Sequence, residues 1–387
     1  MKRFYQPTRI ITGVGCFDQL GERTRCYGER ALLVCGGGAM RRSGTLDRAQ
    51  ALLGSAALLG STGIEAVIYD RVSGEPTLDI VEEGIALARA KGSQVIIGLG
   101  GGSAMDVAKA IAGLLPLSGK VRDYHQGREI ESPGLPFIAI PTTAGTGAEV
   151  TKNAVLTDPA RGVKASIRDD TWFARVALVD PELTLPLPPS VTASTGGDAL
   201  CQAIEAYVSI GAMPVTDALA MEAIRLLGRS LVRAFEEGQD IEARSDTLYG
   251  SLLAGMALAN ARLGGVHGMA HPLGYHYHIP HGTICGLLLP YVMQYNLAYA
   301  SAKYAHVAAL LGVDTRDMTE EEAARKSLDA VEGILDTLAI PRRLAPFGVV
   351  EGDFEAIIAE SLPSGSLKHN PRPLGAEDVR RLLAEAL

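Results

Sequence analysis

Short apolar, β-branched runs alternate with longer amphipathic stretches through the first half of the chain, the pattern of a parallel sheet covered by helices. The predicted strands are Ala31–Val34, Ile64–Tyr69, Val95–Ile97, Phe137–Ile140 and Val176–Val179. The clearest helix follows the third strand, where Ala104, Val107, Ala108, Ile111, Ala112 and Leu115 form one continuous apolar stripe. After Asp180-Pro181 the pattern changes. A proline-rich joint, Leu185–Pro189, leads into long Ala/Leu/Glu-rich segments with few strand signals. The expected organisation is an α/β domain over residues 1–185 and an all-helical domain over residues 186–387. No internal repeat or low-complexity tract interrupts either part.

Two glycine runs fall just after predicted strands. Gly98-Leu99-Gly100-Gly101-Gly102-Ser103 lies between the Val95 strand and the striped helix. Glycines there let the backbone approach a pyrophosphate, while free N–H groups and the helix dipole attract its charge. A strand before the run and a strong helix after it make this more than a flexible turn. The second run, Gly36-Gly37-Gly38, follows the Ala31 strand, where a nucleotide-binding fold holds the adenosine ribose. It carries no acidic residue to accept a ribose 2′-hydroxyl and is followed by Arg41 and Arg42. That combination favours a 2′-phosphate, hence NADP over NAD, with Gly37, Gly38 and Arg41 as candidate contacts.

The other concentration of chemistry is histidine. His267, His271, His276, His278 and His281 are five of the eight histidines in 387 residues. Imidazole is the commonest metal ligand and proton shuttle. His267 and His271 share a helix face if Leu263–Leu273 is helical, while Pro280 ends that helix and presents His281 from the following turn. Two or three imidazoles then converge on one point.

Composition narrows the class. With 47% hydrophobic and 21% charged residues the chain has material for two cores, and its net charge of −8 argues against nucleic-acid or anionic-membrane partners. The start of the chain lacks the apolar run of a signal peptide, and no apolar stretch reaches the length of a membrane span, so a cytoplasmic location is expected. The five cysteines, Cys16, Cys26, Cys35, Cys201 and Cys285, are scattered without a CxxC pair and read as small buried residues.

Jointly, GLGGGSAMDVAK (Gly98–Lys109), PTTAGTGAEVT (Pro141–Thr151), Val179-Asp180-Pro181, DALCQAIEAY (Asp198–Tyr207) and HGMAHPLGYHYHIPHG (His267–Gly282) resemble the iron-containing (group III) alcohol dehydrogenases nearly end to end. The resemblance implies a Rossmann-like α/β cofactor domain with a parallel sheet and an all-α C-terminal domain, the fold shared with dehydroquinate synthase. It implies NAD(P)-dependent interconversion of a small alcohol and its aldehyde, and assembly as a dimer or larger homo-oligomer. Gly100, Gly101, Gly102 and Ser103 become the pyrophosphate contacts, and Asp106 a residue near the nicotinamide. Thr142, Thr143 and Thr146 form a threonine-rich loop over the cofactor, and Lys164 lies near its ribose. Glu75-Pro76-Thr77 falls in an adenosine-side loop where many members have Asn before the proline.

In that family a divalent metal, usually iron and sometimes zinc, is held by one Asp and three His. Asp198, His267 and His281 match three of these positions, and Gln202 stands where the fourth ligand is His. Asp198 and Gln202 still share a helix face. A neutral amide oxygen nevertheless suits hard cations better than it replaces imidazole. Three outcomes compete: Gln202 ligates weakly or through water, His276 or His278 fills in, or the metal has been lost. A bound metal ranks first, because Asp198, His267 and His281 otherwise form a costly buried polar cluster. His271 matches a family histidine beside the metal and is the candidate proton relay. The alternatives are a metal-independent carbonyl reductase resembling the maleylacetate reductases, and a non-catalytic nucleotide-binding paralogue. Candidate substrate contacts are Asn153, Phe173, His276, His278, His369 and Asn370.

Overall fold

The computed structural model describes residues 2–55 and 63–387. By proximity the chain divides into two compact units. One comprises Gln6–Thr143 and Ala148–Pro186; the other comprises Leu187–Leu387, Ala144–Gly147 and the residues up to Tyr5.

The first unit is built on a six-stranded parallel sheet. Its strands are β1 (Arg9–Thr12), β2 (Arg30–Gly36), β3 (Glu65–Val72), β4 (Val95–Gly100), β5 (Phe137–Pro141) and β8 (Val176–Val179), in the order β1-β8-β5-β4-β2-β3. Every residue of β4, β5 and β8 is buried. A parallel sheet covered on both faces needs such unbroken apolar runs, which is why these strands stand out in the sequence. The helix Gly102–Leu114 buries nearly its whole surface. Strand β1 was not predicted: it is a four-residue edge strand with exposed ends. Also unpredicted is the antiparallel hairpin β6 (Asn153–Asp158) and β7 (Val163–Arg168). Its second strand is mostly part-exposed, so no apolar run marks it.

Register aligns the loops that matter. Cys35 pairs with Leu99, Leu99 with Ile140, and Gly100 with Pro141. The segments beginning at Gly36, Gly101 and Thr142 therefore leave the sheet side by side at the carboxyl ends of neighbouring strands. Strand β3 lies on one side of β2 and β4 on the other. This reversal of chain order is the switch point at which open α/β sheets bind ligands.

The second unit is helical. At its centre the helix Pro189–Val208 is buried continuously from Gly196 to Val208, and the helices Pro214–Glu236, Ile241–Ala261 and His281–Asn296 pack on it. The histidine-rich segment forms the helix Gly265–Tyr277, four residues longer at its C-terminal end than expected and continuous through Pro272. His281 is the first residue of the next helix with Pro280 as its N-cap, rather than part of a turn. No helix among the described residues is long and apolar enough to cross a membrane.

Candidate functional site

The central helix of the second unit presents Asp198, Cys201, Gln202 and Glu205 at spacings of three, four and seven from the first, one side of a helix. All four are buried. Such a polar stripe is costly unless its members are paired. Asp198 Oδ1 lies 3.2 Å from His267 Nε2 and 3.9 Å from His281 Nε2. Glu205 Oε2 lies 2.7 Å from the other ring nitrogen of His267, Nδ1, and Glu205 Oε1 accepts from the backbone N–H of Val266 at 2.7 Å. The His281 ring packs edgewise on His267, with centroids 5.4 Å apart.

Two neighbours were not anticipated. Cys285 Sγ lies 3.7 Å from His267 Nε2 and 3.6 Å from His281 Nε2. Cys201 Sγ lies 3.9 Å from His267 Nδ1. Of the five cysteines expected to be small buried residues, Cys16, Cys35, Cys201 and Cys285 are buried and Cys26 is exposed. Gln202 is buried, and its Oε1 atom has no hydrogen-bond partner.

Burial alone would raise the Asp198 carboxyl, but the hydrogen bond from His267 and the charge of His281 outweigh it and hold the group below its ordinary range. Burial works against the His267 imidazolium, yet the facing carboxylates of Asp198 and Glu205 raise its pKa well above the usual histidine value. The Cys285 thiol is pushed well above its ordinary value, chiefly by burial. The donor atoms of Asp198, His267, His281 and Cys285 all lie within 4.8 Å of one another, a set able to hold a metal ion.

The remaining histidines divide. His271 stacks on His281, with centroids 5.6 Å apart and ring planes 18° from parallel. The exposed His276 is engaged by Glu360 at 2.8 Å, and His278 is an exposed helix C-cap with φ +54°. Neither belongs to the metal-competent cluster among the described residues, so neither replaces the missing ligand. Of the other residues suggested for substrate, Asn370 is structural: its Oδ1 accepts from the N–H of Gly265 at 3.1 Å and from Asn296 Nδ2 at 2.9 Å, fixing the start of the histidine helix. The carbonyl of Asn153 accepts from Lys109, His369 is bonded to the carbonyl of Gly365, and Phe173 is buried.

In the first unit the helix Gly102–Leu114 begins at Gly101, and no side chain caps it. Its first amides are donors suited to a phosphate. A Cβ on Gly101 would fall 3.2 Å from Thr143 Oγ1, so the glycine loop and the threonine loop lie close together and a larger residue would push the Thr143 side chain aside. Ser103 follows within the first turn. Thr142 is buried and its N–H donates to the carbonyl of Gly100, whereas Thr146 falls in the second unit. Asp106 Oδ2 accepts from the N–H of Val155 at 3.0 Å, which anchors the β6–β7 hairpin. Burial first of all raises its pKa to about 6. Lys164 is engaged by Glu75 at 2.6 Å, joining the β7 strand to the loop suggested for adenosine.

By Gly36–Gly38, the guanidinium of Arg41 donates through Nε to Asp70 Oδ2 at 3.0 Å, and Arg42 lies over Gly38. The acidic residue absent from the glycine run itself is therefore supplied nearby, from β3. Neighbouring sequence does not reveal it, because sheet order brings together residues 29 apart.

Comparison with known proteins agrees with this architecture. Residues 7–181 match the family described as iron-containing alcohol dehydrogenase, and residues 192–387 match its C-terminal region. The chain is 34% identical to the NAD-dependent methanol dehydrogenase of Bacillus methanolicus, over all of both chains. It is 39% identical to long-chain-alcohol dehydrogenase 1 of Geobacillus thermodenitrificans, over 99% of this chain and 96% of that one. The crystal structure of a 1,3-propanediol oxidoreductase superposes with a TM-score of 0.95 at 37% identity, covering 100% of each chain. The chain belongs to the iron-containing alcohol dehydrogenase family and is an oxidoreductase acting on CH–OH groups.

Proposed function

We propose that the protein interconverts a small alcohol and its aldehyde by hydride exchange with a nicotinamide cofactor, assisted by one divalent metal held at Asp198, His267 and His281, with Gln202 offering its amide oxygen. The observation that carries the reading is the double grip on His267. A carboxylate on Nδ1 fixes the tautomer and leaves Nε2 facing a second carboxylate and another imidazole, the outer-sphere arrangement of metal-binding histidines. The orphaned Gln202 oxygen supports the same reading, since a buried acceptor without a partner lacks a donor or a cation.

When bound, the metal supplies Lewis-acid polarisation of the carbonyl or hydroxyl oxygen. The chain's own residues do the rest. Glu205 orients His267; His271, stacked on His281, carries the alcohol proton; and the amides at Gly101–Ser103 with the Thr142 and Thr143 hydroxyls bind the cofactor phosphates and ribose. In this reading Asp106 lies near the nicotinamide and Lys164 near the ribose. Gly37 and Gly38 admit the adenosine ribose, and Arg41 with Arg42 favours the 2′-phosphate of NADP. Iron and zinc are the candidate ions. The active form is a cytoplasmic homo-oligomer.

Anaerobic purification, loading with Fe²⁺ or Zn²⁺ and removal of free ion should leave about one ion per chain, and a chelator should abolish aldehyde-dependent NADPH oxidation. Turnover that persists without retained metal would replace this reading with a metal-independent carbonyl reductase. The glutamine at position 202, where the family carries histidine, is what gives that second reading its weight.

A further inference from the structure

We infer that Cys285 is a thiolate ligand of the metal, a stronger donor than the neutral amide of Gln202, and that the site therefore selects Zn²⁺ over Fe²⁺. The inference rests on the metal-assisted reading above and deepens it.

The sulfur occupies a donor position. Cys285 follows His281 by one helical turn, so both side chains leave the same face of the helix His281–Asn296. That helix faces the one bearing Asp198 and Gln202: a Cβ on Gly282 would fall 2.1 Å from the carbonyl oxygen of Ser194. One helix offers Asp198 with a weak donor at its i+4 position; the other offers His281 with a strong donor at its own i+4 position. The strong donor that the first helix lacks is present on the second.

Distances agree with a single ion. Zinc with bonds of about 2.0 Å to nitrogen or oxygen and about 2.3 Å to sulfur sets N···O edges of about 3.3 Å and N···S edges of about 3.6 Å, and its coordination can expand to admit the substrate oxygen. The edges here are 3.2 and 3.9 Å for nitrogen to oxygen and 3.7 and 3.6 Å for nitrogen to sulfur. Cys201 is the poorer candidate. Its sulfur approaches Nδ1 of His267, the nitrogen engaged by Glu205, and not the Nε2 that faces the other donors. Thiolate, imidazole and carboxylate form a zinc donor set, and sulfur moves the preference away from harder ions. Coordination exchanges the S–H proton of Cys285 for the metal and releases that proton to solvent.

Co²⁺ substitution of the full-length protein tests this without relying on turnover. The expected result is one Co²⁺ per chain with a near-ultraviolet sulfur-to-cobalt charge-transfer band. The band should vanish in Cys285→Ser and persist in Cys201→Ser. Zn²⁺ affinity should fall in Cys285→Ser by more than the roughly 10–100-fold that loss of an outer-sphere partner costs. The wild-type spectrum alone reports sulfur ligation, so a misfolded variant does not remove the test. Cobalt bound without the band, or a band lost only in Cys201→Ser, overturns the role of Cys285 and leaves the metal reading standing. No retained cobalt overturns both. Retention of Fe²⁺ against equimolar Zn²⁺ overturns the metal preference.

Discussion

Glu205 Oε2 lies 2.7 Å from Nδ1 of His267, joining two helices across 62 residues of sequence. The same carboxylate accepts from the N–H of Val266, so it fixes both the imidazole and the backbone that carries it. Removing its charge while keeping its shape, as in Glu205→Gln, should weaken metal affinity by about 10–100-fold and lower kcat in parallel, with the circular dichroism spectrum unchanged. Metal titration monitored by calorimetry measures the first effect. Unaltered affinity would mean that Glu205 serves packing alone.

Gly282 lets the helix bearing His281 meet the carbonyl of Ser194. A Cβ there would lie 2.1 Å from that oxygen, a backbone atom that cannot swing aside. Gly282→Ala should therefore cost about 1–3 kcal/mol of stability and displace His281 from Asp198. Denaturant unfolding reads the first consequence and metal content the second. Wild-type stability together with full metal occupancy would show that the two helices separate without strain.

The parts of this fold that depend on burial were legible in sequence. Strands β2, β4, β5 and β8 carry continuous apolar runs because both sheet faces are covered, and the Ala104–Leu115 stripe marked the helix that covers them. The edge strand β1 and the β6–β7 hairpin carry no such signature, since half-exposed strands admit Arg, Lys and Ser. At the candidate site, spacing along one helix was readable, and the stripe Asp198, Cys201, Gln202, Glu205 contained the signal for Glu205. What spacing cannot reveal is the register between helices. That register sets Cys285 beside His267 and gives His276 to Glu360. Likewise, the partner of Arg41 comes from an adjacent strand, a relation fixed by sheet order.

A buried charge cluster in the first unit makes stability depend on pH. Lys109 Nζ donates to the carbonyls of Ala148 and Asn153 at 2.8 Å each, beside Asp106 and Glu149. Burial, the largest influence, raises the Glu149 carboxyl from 4.5 to about 7. A carboxyl raised on folding binds more protons in the native state between those values. Its contribution is fully present below pH 4.5 and is lost as pH rises through about 7. Glu149→Gln should consequently gain stability relative to the wild type as pH rises from 5 to 7. Calorimetric melting of both proteins across that range checks it, and parallel curves would show that Glu149 does not titrate there.

Arg41 is half exposed and paired with Asp70, so its availability to a 2′-phosphate depends on breaking an exposed ion pair. Such pairs are worth about 0–1 kcal/mol, less than a guanidinium gains from a phosphate dianion. Arg41→Ala should lower kcat/KM for NADPH by roughly tenfold and leave NADH little changed, while Asp70→Asn should shift preference further toward NADPH. Steady-state kinetics with both cofactors decides the matter. An equal loss for the two would remove Arg41 from 2′-phosphate recognition.

His271 is placed differently from the two histidines of the metal-competent cluster. It stands one helical turn beyond His267, part-exposed, with its ring 18° from parallel to that of His281 at a centroid distance of 5.6 Å. A side chain beside the donor cluster but outside it suits proton transfer, because an imidazole that does not ligate keeps a ring nitrogen for the proton. Replacing His271 with Ala removes the relay and leaves Asp198, His267, His281 and Cys285 intact. Turnover should fall by about 10²–10⁴-fold, the usual worth of a positioned general acid or base, while the metal content and the dissociation constant for NADPH stay near wild-type values. The pH profile of kcat separates this role from a structural one, since losing a proton carrier removes one limb of the profile whereas a packing defect lowers it at every pH. A defect confined to NADPH binding would reassign His271 to the cofactor.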